Sequence, residues 1–335
     1  MPGCGGSRWP GHISGAVGVR VTGATQVAAV IGDPVTHSLS PTLHNAGFAH
    51  TGLDWVYVAL PVRAGTGPSV IEAMRTLGLA GMNVTMPHKD SVAEACDALS
   101  ATAARLGAVN TVVWHGDALV GHSTDGPGLV AALQDLGVAY GPDRPVLVVG
   151  AGGAARAAVY SLGQHDVPVS VAARREEPAR LAAELAPLGR AVGWPDTPLA
   201  AQALLDDHAL VINAIPLGMG DRDRAHPFER LRWREDQVLY DMVYWPAETS
   251  LIRDVRARGG QAHNGLSMLI HQAALAFELW TGVPAPVEVM TEAGQSALLE
   301  RARRAKHANE PIEASKVSAA ETIDLIPSVL DGEPS

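Results

Sequence analysis

Short apolar runs alternate with helical patterns along almost the whole chain, which predicts an α/β protein of two domains with mainly parallel sheets. The length of 335 residues and a hydrophobic fraction of 47% support the second half of that expectation, because they suffice for about two separately cored units. A third observation is a strand followed directly by a glycine-rich turn and a helix at residues 145–162. That order belongs to sheets whose strands end at ligand-binding turns.

The elements follow in order. Val27–Ile31 is the first strand, stopped by Gly32-Asp33-Pro34. Trp55–Leu60 is the second, followed by a helix from Ser69 to Leu77. Gly81–Thr85 is a third strand, leading through Pro87 into a helix containing Val92 to Leu99. Ala108–Trp114 and Ala118–Val120, with Gly116-Asp117 between them, read as a hairpin. A helix carrying Leu129, Leu133 and Leu136 follows Asp125-Gly126. The next unit opens with the buried strand Pro145–Val149, the glycine turn and a helix to Leu162. Val169–Ala173, Ala209–Asn213 and Val238–Asp241 supply further strands, and the unit ends near Gly259-Gly260. Residues Leu266 to Trp280 make a helix that is apolar nearly all round, with a narrow polar strip at Ser267, His271 and Glu278. Such a helix is buried, so Gln272 within it requires a polar partner, from the protein or from a ligand.

Composition excludes several functions. The net charge is −10 and the basic residues are dispersed, which argues against nucleic acid or an anionic membrane as partner. No apolar run reaches the roughly 18 residues of a membrane span. Cys4 and Cys96 are isolated, without metal-like or redox-like spacing, so no metal is expected and a reducing cytoplasm is. Glycine-rich residues 1–25 read as a disordered extension, and residues 305–335 as a flexible tail.

Only three of the 25 basic residues are lysines, and Lys89 is the one that precedes residue 300. A lysine in a partly desolvated site can give up its proton, whereas arginine cannot. Lys89 is therefore a candidate acid/base, although a neutral choice between lysine and arginine explains its presence equally. Gly150-x-Gly152-x-x-Ala155, between strand and helix, is a dinucleotide fingerprint of the Rossmann type with alanine in the third place. The next strand ends in Ala173-Arg174-Arg175, with no carboxylate before Glu176. Two guanidinium groups there suit the 2′-phosphate of NADP, through bidentate hydrogen bonds and stacking, while a solvated helix start is the plainer use of the same residues. Ser40 before Pro41 suits an N-cap with proline at the first helical position, and the Ser38/Ser40 pair also offers hydroxyls and backbone donors to a carboxylate. Asn83, Thr85 and Asn110 add polar groups at strand ends and Asp125, in Ser123-Thr-Asp-Gly126, closes the N-terminal unit, although ordinary turn chemistry would also place each of them.

These segments together resemble the shikimate dehydrogenase family from about Gly32 to Gly282. The likeness rests on Gly32–Pro41 with His44-Asn45, Asn83–Lys89, Gly107–Thr111, Ser123–Gly126, Gly150–Ala157, Asp241–Pro246 and Gly265–Gln272. It implies that Lys89 and Asp125 are the catalytic pair, and that Ser38, Ser40, Asn83, Thr85, Asn110, Tyr244 and Gln272 bind substrate, as Asp125 also would. It implies cofactor contacts from Gly150, Ala151, Gly152, Gly153, Ala154, Ala155 and Arg174, with Met219, Gly265 and Met268 bordering the cofactor; the reading of the 2′-phosphate loop adds Arg175. The implied reaction is NADP-dependent interconversion of 3-dehydroshikimate and shikimate by a monomer or homodimer. Ser123, Ala173-Arg174-Arg175 and Asn213-Ala-Ile-Pro216 depart from the common family pattern, the last two on the cofactor side. The same motifs would serve a quinate or aminoshikimate dehydrogenase, and a ligand-sensing protein without turnover is the alternative of another class. The expected plan is interleaved: a substrate domain of residues 26–125 plus 265–304, and a Rossmann NADP-binding domain of residues 126–264.

Overall fold

Two six-stranded sheets, each with its own apolar packing, organise the protein. The computed structural model describes residues 21–219 and 226–308; apart from residues 21–25 and 305–308, the expected extension and tail lie outside them. The first sheet is built from β1 (Gln26–Gly32), α1 (Ser40–Thr51), β2 (Trp55–Pro61), α2 (Gly67–Leu77), β3 (Gly81–Val84), α3 (Lys89–Ala95), β4 (Ala98–Leu99), α4 (Ala101–Leu106), β5 (Thr111–His115) and β6 (Ala118–His122). Its strand order is β2-β1-β3-β5-β6-β4. The β1–β2, β1–β3 and β4–β6 pairs are parallel, and the β5–β6 hairpin is antiparallel. The sequence placed Leu99 in a helix. Instead α3 stops at Ala95 and Leu99 pairs with Gly121, because Asp97 accepts from the Leu119 amide at 2.6 Å and draws the chain onto β6.

After α5 (Asp125–Asp135) the second sheet follows, with β7 (Val146–Val149), α6 (Gly153–Gly163), β8 (Val169–Ala172), α7 (Glu176–Ala183), β9 (Gly189–Val192), α8 (Pro198–Asp206), β10 (Leu210–Asn213), β11 (Val238–Asp241), α9 (Ser250–Ala257) and β12 (Gln261–Asn264). Every pair is parallel and the order is β12-β11-β10-β7-β8-β9, a doubly wound sheet whose strand order reverses between β7 and β10. β12 carries this unit past the expected end at Gly259-Gly260, to Asn264. Strands β7, β8, β10 and β11 are buried at every residue, as strands covered on both faces by helices must be.

The chain then forms α10 (Leu266–Thr281) and α11 (Val287–Ala308). The described residues up to Leu298 form one compact unit, and Leu299 begins a second. The all-round apolarity of α10 has a direct cause in the packing. Met268 enters the second sheet's core, Leu266 and Ile270 pack with Leu39 and Leu43, and Phe277 packs with Phe48 of α1 and Tyr57 of β2. On α5, a Cβ at Gly128 would lie 2.8 Å from the Gln272 backbone nitrogen, and one at Gly126 would lie 2.1 Å from Ser161 Oγ. These two glycines let α10 and α6 pack directly against the helix that Asp125 begins.

Candidate active site

Both cavities of interest open at the carboxyl ends of parallel strands, where a doubly wound sheet offers backbone donors and loop side chains to a ligand. The smaller, about 480 Å³, lies over the ends of β1 and β3. Asn83 of β3, Thr85 and Lys89 line it, as do Ser38 of the β1–α1 loop and Ser40 at the start of α1. Asn110, Asp125, Tyr244 and Gln272 complete the set, so every residue expected to bind substrate or act in catalysis lines this one space. Close packing of β1 on β3 depends on Gly32, since a Cβ there would stand 2.4 Å from Thr85 Cγ2.

Lys89 is the first residue of α3 and Asp125 the first of α5, and they form an ion pair. Both side chains are largely buried, at 15% and 10% exposure, so water screens the pair far less than it would a surface one. The other carboxylate oxygen of Asp125 accepts from Asn110 Nδ2 at 2.9 Å. That amide nitrogen also faces Thr124 Oγ1 at 2.9 Å and Gln272 Oε1 at 3.2 Å. Two hydrogens thus serve three acceptors, and the group is fully engaged. Asn110 Oδ1 accepts from the Thr124 amide at 2.7 Å. Asn83 is held the same way: Nδ2 donates to the Asn110 carbonyl and to Thr111 Oγ1, while Oδ1 accepts from Tyr57 at 2.6 Å. Gln272 Nε2 donates to the Leu269 carbonyl at 2.8 Å, which answers the requirement for a partner inside α10. A buried network of this kind fixes the rotamers of its members and leaves the lysine and its carboxylate as its charged end.

The Ser38/Ser40 segment corrects one expectation. Leu39, not Ser40, is the N-cap of α1; Ser40 and Pro41 are the first helical residues, and no side chain caps the helix. Ser38 Oγ accepts from the Ser40 amide at 3.2 Å. The Ser40 amide is thereby occupied, Pro41 has no N–H and the Leu43 amide donates to the Leu39 carbonyl, so the serine hydroxyls lining the cavity are what this segment offers an anion.

The larger cavity, about 1300 Å³, lies at the reversal of strand order in the second sheet and is lined by Gly150, Ala151, Gly152, Gly153, Arg174 and Arg175. Gly150 has φ +123°, and a Cβ there would stand 3.1 Å from the Ala214 carbonyl oxygen and from Ile215 Cγ2. Only glycine fits both that backbone conformation and that space. Helix α6 begins at Gly153 with no side chain on its amides, so the loop and helix start suit a pyrophosphate. Carboxylates Glu177 and Glu184 pair with Arg180, and among the described residues no ion pair reaches Arg174 or Arg175. Uncommitted guanidinium groups beside a bare helix start fit a dinucleotide with an additional phosphate.

Not every expected cofactor residue sits with the others. Ala154, Met219, Gly265 and Met268 line the smaller cavity, and Pro216 lines both, so the two spaces meet beside Lys89. A Cβ on Gly153 would be 3.1 Å from Lys89 Cδ. Ala155 lines neither; its methyl is fully buried in the second sheet's core, where the third small residue allows close packing of helix on strand. Sequence reasoning missed Trp194, which lines the larger cavity, and the ion pair of Asp90 with Arg156 at its edge. Trp194 follows β9, whose sequence Gly-Arg-Ala-Val lacks a strand's alternation.

The loops that carry Met242, Tyr244 and Pro216 are anchored beneath the site by Asp241. It accepts from Asn213 Nδ2, the Val243 amide and Thr249 Oγ1 at 2.9, 3.1 and 2.8 Å. Burial outweighs these bonds and pushes its carboxyl up to about 6.

Comparison with known proteins identifies the chain's relatives. Residues 30–112 match the model of the shikimate dehydrogenase substrate binding domain, and residues 265–293 that of the shikimate 5′-dehydrogenase C-terminal domain. The chain is 43% identical over 280 residues to shikimate dehydrogenase (NADP(+)) of Anaeromyxobacter sp., an alignment covering 82% of this chain and 97% of the relative. A crystal structure of shikimate dehydrogenase in complex with NADP+ superposes with a TM-score of 0.78 at 35% identity, covering 85% of this chain and 99% of that one. The Thermus thermophilus enzyme in complex with NADP(H) and shikimate gives 0.71 at 34% identity, covering 82% and 100%.

Proposed function

The chain belongs to the shikimate dehydrogenase family, and from that premise we propose that it reduces 3-dehydroshikimate to shikimate, reversibly, with NADPH. The observation that carries the proposal is the largely buried Lys89–Asp125 ion pair in a cavity that meets the glycine-loop cavity at Pro216. When bound, NADPH supplies the hydride. Carbonyl reduction also needs a proton at oxygen and a cation to stabilise charge developing there. Lys89 serves both needs. Asp125 holds the ammonium in place and accepts from a substrate hydroxyl. Ser38 and Ser40 anchor the carboxylate, while Asn83, Thr85, Asn110, Tyr244 and Gln272 surround the ring. Gly150 to Gly153 receive the pyrophosphate and Arg174 with Arg175 the 2′-phosphate, with Met219, Gly265 and Met268 bordering the nicotinamide.

The division of labour follows the two sheets: residues 26–125 with 265–304 for substrate, and 126–264 for cofactor. A cytoplasmic location suits the absence of disulfide-like cysteine spacing, and a monomer or homodimer suffices because both cavities are built within one chain.

A substrate panel tests the proposal. Purified protein is offered shikimate, quinate and aminoshikimate with NADP and with NAD, and cofactor reduction is followed by absorbance. The highest kcat/KM is expected for shikimate with NADP. Activity confined to quinate would transfer the reading to that substrate, and an equal or lower KM for NAD would overturn the cofactor assignment. Binding of shikimate and NADPH without turnover would make the protein a sensor.

A further inference from the structure

Arg174 and Trp194 are brought together by sheet register. In the parallel β8–β9 pair Ala172 lies opposite Val192, so Arg174 and Trp194 each follow two residues beyond a matched pair at the carboxyl end of neighbouring strands. The Arg174 guanidinium carbon stands 5.6 Å from the centroid of the Trp194 ring. That is within the distance at which an aromatic face attracts a cation. Both residues line the larger cavity. Arg174 is exposed and without an ion-pair partner among the described residues, whereas Trp194 is half-buried and packs against the second sheet's core. The ring is thus the anchored member of the pair and the guanidinium the mobile one.

We propose that Trp194 is a positioning residue for the adenosine 2′-phosphate, holding the Arg174 guanidinium at the cavity edge so that it meets the phosphate without first being ordered. The inference rests on the NADP reading above and deepens it by naming what fixes the arginine. An exposed arginine otherwise loses rotamer freedom when it binds. Stacking on an anchored ring removes part of that loss before the ligand arrives. The indole contributes through the arginine, so its effect is confined to ligands that carry the 2′-phosphate.

Calorimetric titration with adenosine 2′,5′-diphosphate and with 5′-AMP tests this without turnover. Trp194→Leu keeps an apolar side chain against the core but removes the aromatic face. It is expected to weaken 2′,5′-ADP binding by roughly threefold to tenfold, with 5′-AMP changed by less than about twofold. Trp194→Phe is expected to restore most of the loss. In an Arg174→Ala background, Trp194→Leu is expected to add nothing. Equal weakening of both ligands would overturn the proposal, because it would mean that the indole contacts adenine or merely supports the fold. Unchanged 2′,5′-ADP affinity in Trp194→Leu would overturn it as well. If the unmutated protein bound the two nucleotides equally, the NADP reading itself would fail, and the role of Trp194 with it.

Discussion

The two cavities meet at Pro216 but are finished in opposite ways. Over the first sheet, Asn83, Asn110, Asp125 and Gln272 are engaged with one another before any ligand arrives. Over the second, the lining includes bare backbone at Gly150 to Gly153 and two arginines, Arg174 and Arg175, without carboxylate partners among the described residues. A site that must align a carbon and a proton to within fractions of an ångström gains from rotamers fixed in advance. A site that must capture a polyanion gains from donors and charges left uncommitted. The first arrangement makes its residues costly to remove for both chemistry and stability, and the second makes them matter chiefly for affinity.

The sharpest break of this contrast is at Lys89. Lys89→Ala is expected to lower kcat by roughly 10²–10⁴-fold with little change in either KM, since acid/base help is confined to the transition state. Lys89→Arg should not rescue it, because a guanidinium keeps its proton. Near-normal kcat in either variant, measured by steady-state kinetics, would remove Lys89 from the chemistry.

Asn110 tests whether the network is structural as well as catalytic. Asn110→Leu strands the Thr124 amide and one oxygen of Asp125 in a buried space. A loss of about 2–6 kcal/mol is expected in urea unfolding, at about 1–3 kcal/mol for each of the two buried groups left unpaired. Arg174→Ala should leave the urea midpoint unchanged. Equal effects of the two substitutions would erase the distinction between the regions.

How far this arrangement was legible in the sequence depended on the range of the interactions. The glycine turn at Gly150, the strand end around Asn83 and the helix start at Asp125 are local features that short motifs mark. The saturation of Asn110 was not legible, because Gln272, one of its partners, is 162 residues away. Sequence motifs named these residues as ligand binders, whereas their hydrogen bonds give them a second task of holding one another. The capping of α1 was misplaced by one residue because the expectation rested on the capping preference of the Ser40 side chain, whereas the backbone puts the cap at Leu39 with no side-chain hydrogen bond. Trp194 escaped notice because its strand, on the edge of the sheet, is recognisable only through its pairing with β8. The register that sets it beside Arg174 is a property of two strands and of neither alone.

The ends of β3 and β11 offer a comparison readable by pH. Asn83 is neutral, while Asp241 has its carboxyl pushed up to about 6 by burial. The unfolded chain releases that proton near pH 4, and the folded one holds it until about pH 6. Between these values the folded state binds more protons, so the Asp241 contribution to stability is full below about pH 4 and falls as pH rises through 6. The shift corresponds to at most about 3 kcal/mol, and a realistic contribution is on the order of 2. His44 and His226, each held down to about 3 by burial, act in the opposite sense, losing stability as pH falls below 6.5. The comparison must therefore be made between Asp241→Asn and the unmutated protein. Their difference in unfolding free energy should change between pH 4 and 6 and level off above about pH 7, and a constant difference would show that Asp241 ionises freely.

Ser40 gives the smallest effect and the finest division between the cavities. Its hydroxyl is proposed to meet the substrate carboxylate in ground and transition states alike, so Ser40→Ala should raise the shikimate KM by about tenfold and leave kcat nearly unchanged. The two cavities also differ in how they hold charge. A carboxylate held by neutral hydroxyls depends weakly on ionic strength, whereas a 2′-phosphate held by two exposed arginines depends on it strongly. Raising salt should therefore increase the NADP KM well before the shikimate KM in the unmutated protein, and Arg174→Ala should flatten only the first of these dependences. A parallel rise in both would mean that Ser40 shares its anion with a cation not yet accounted for. A fall in kcat alone for Ser40→Ala would mean that the serine acts on the reacting end of the substrate and not on its carboxylate.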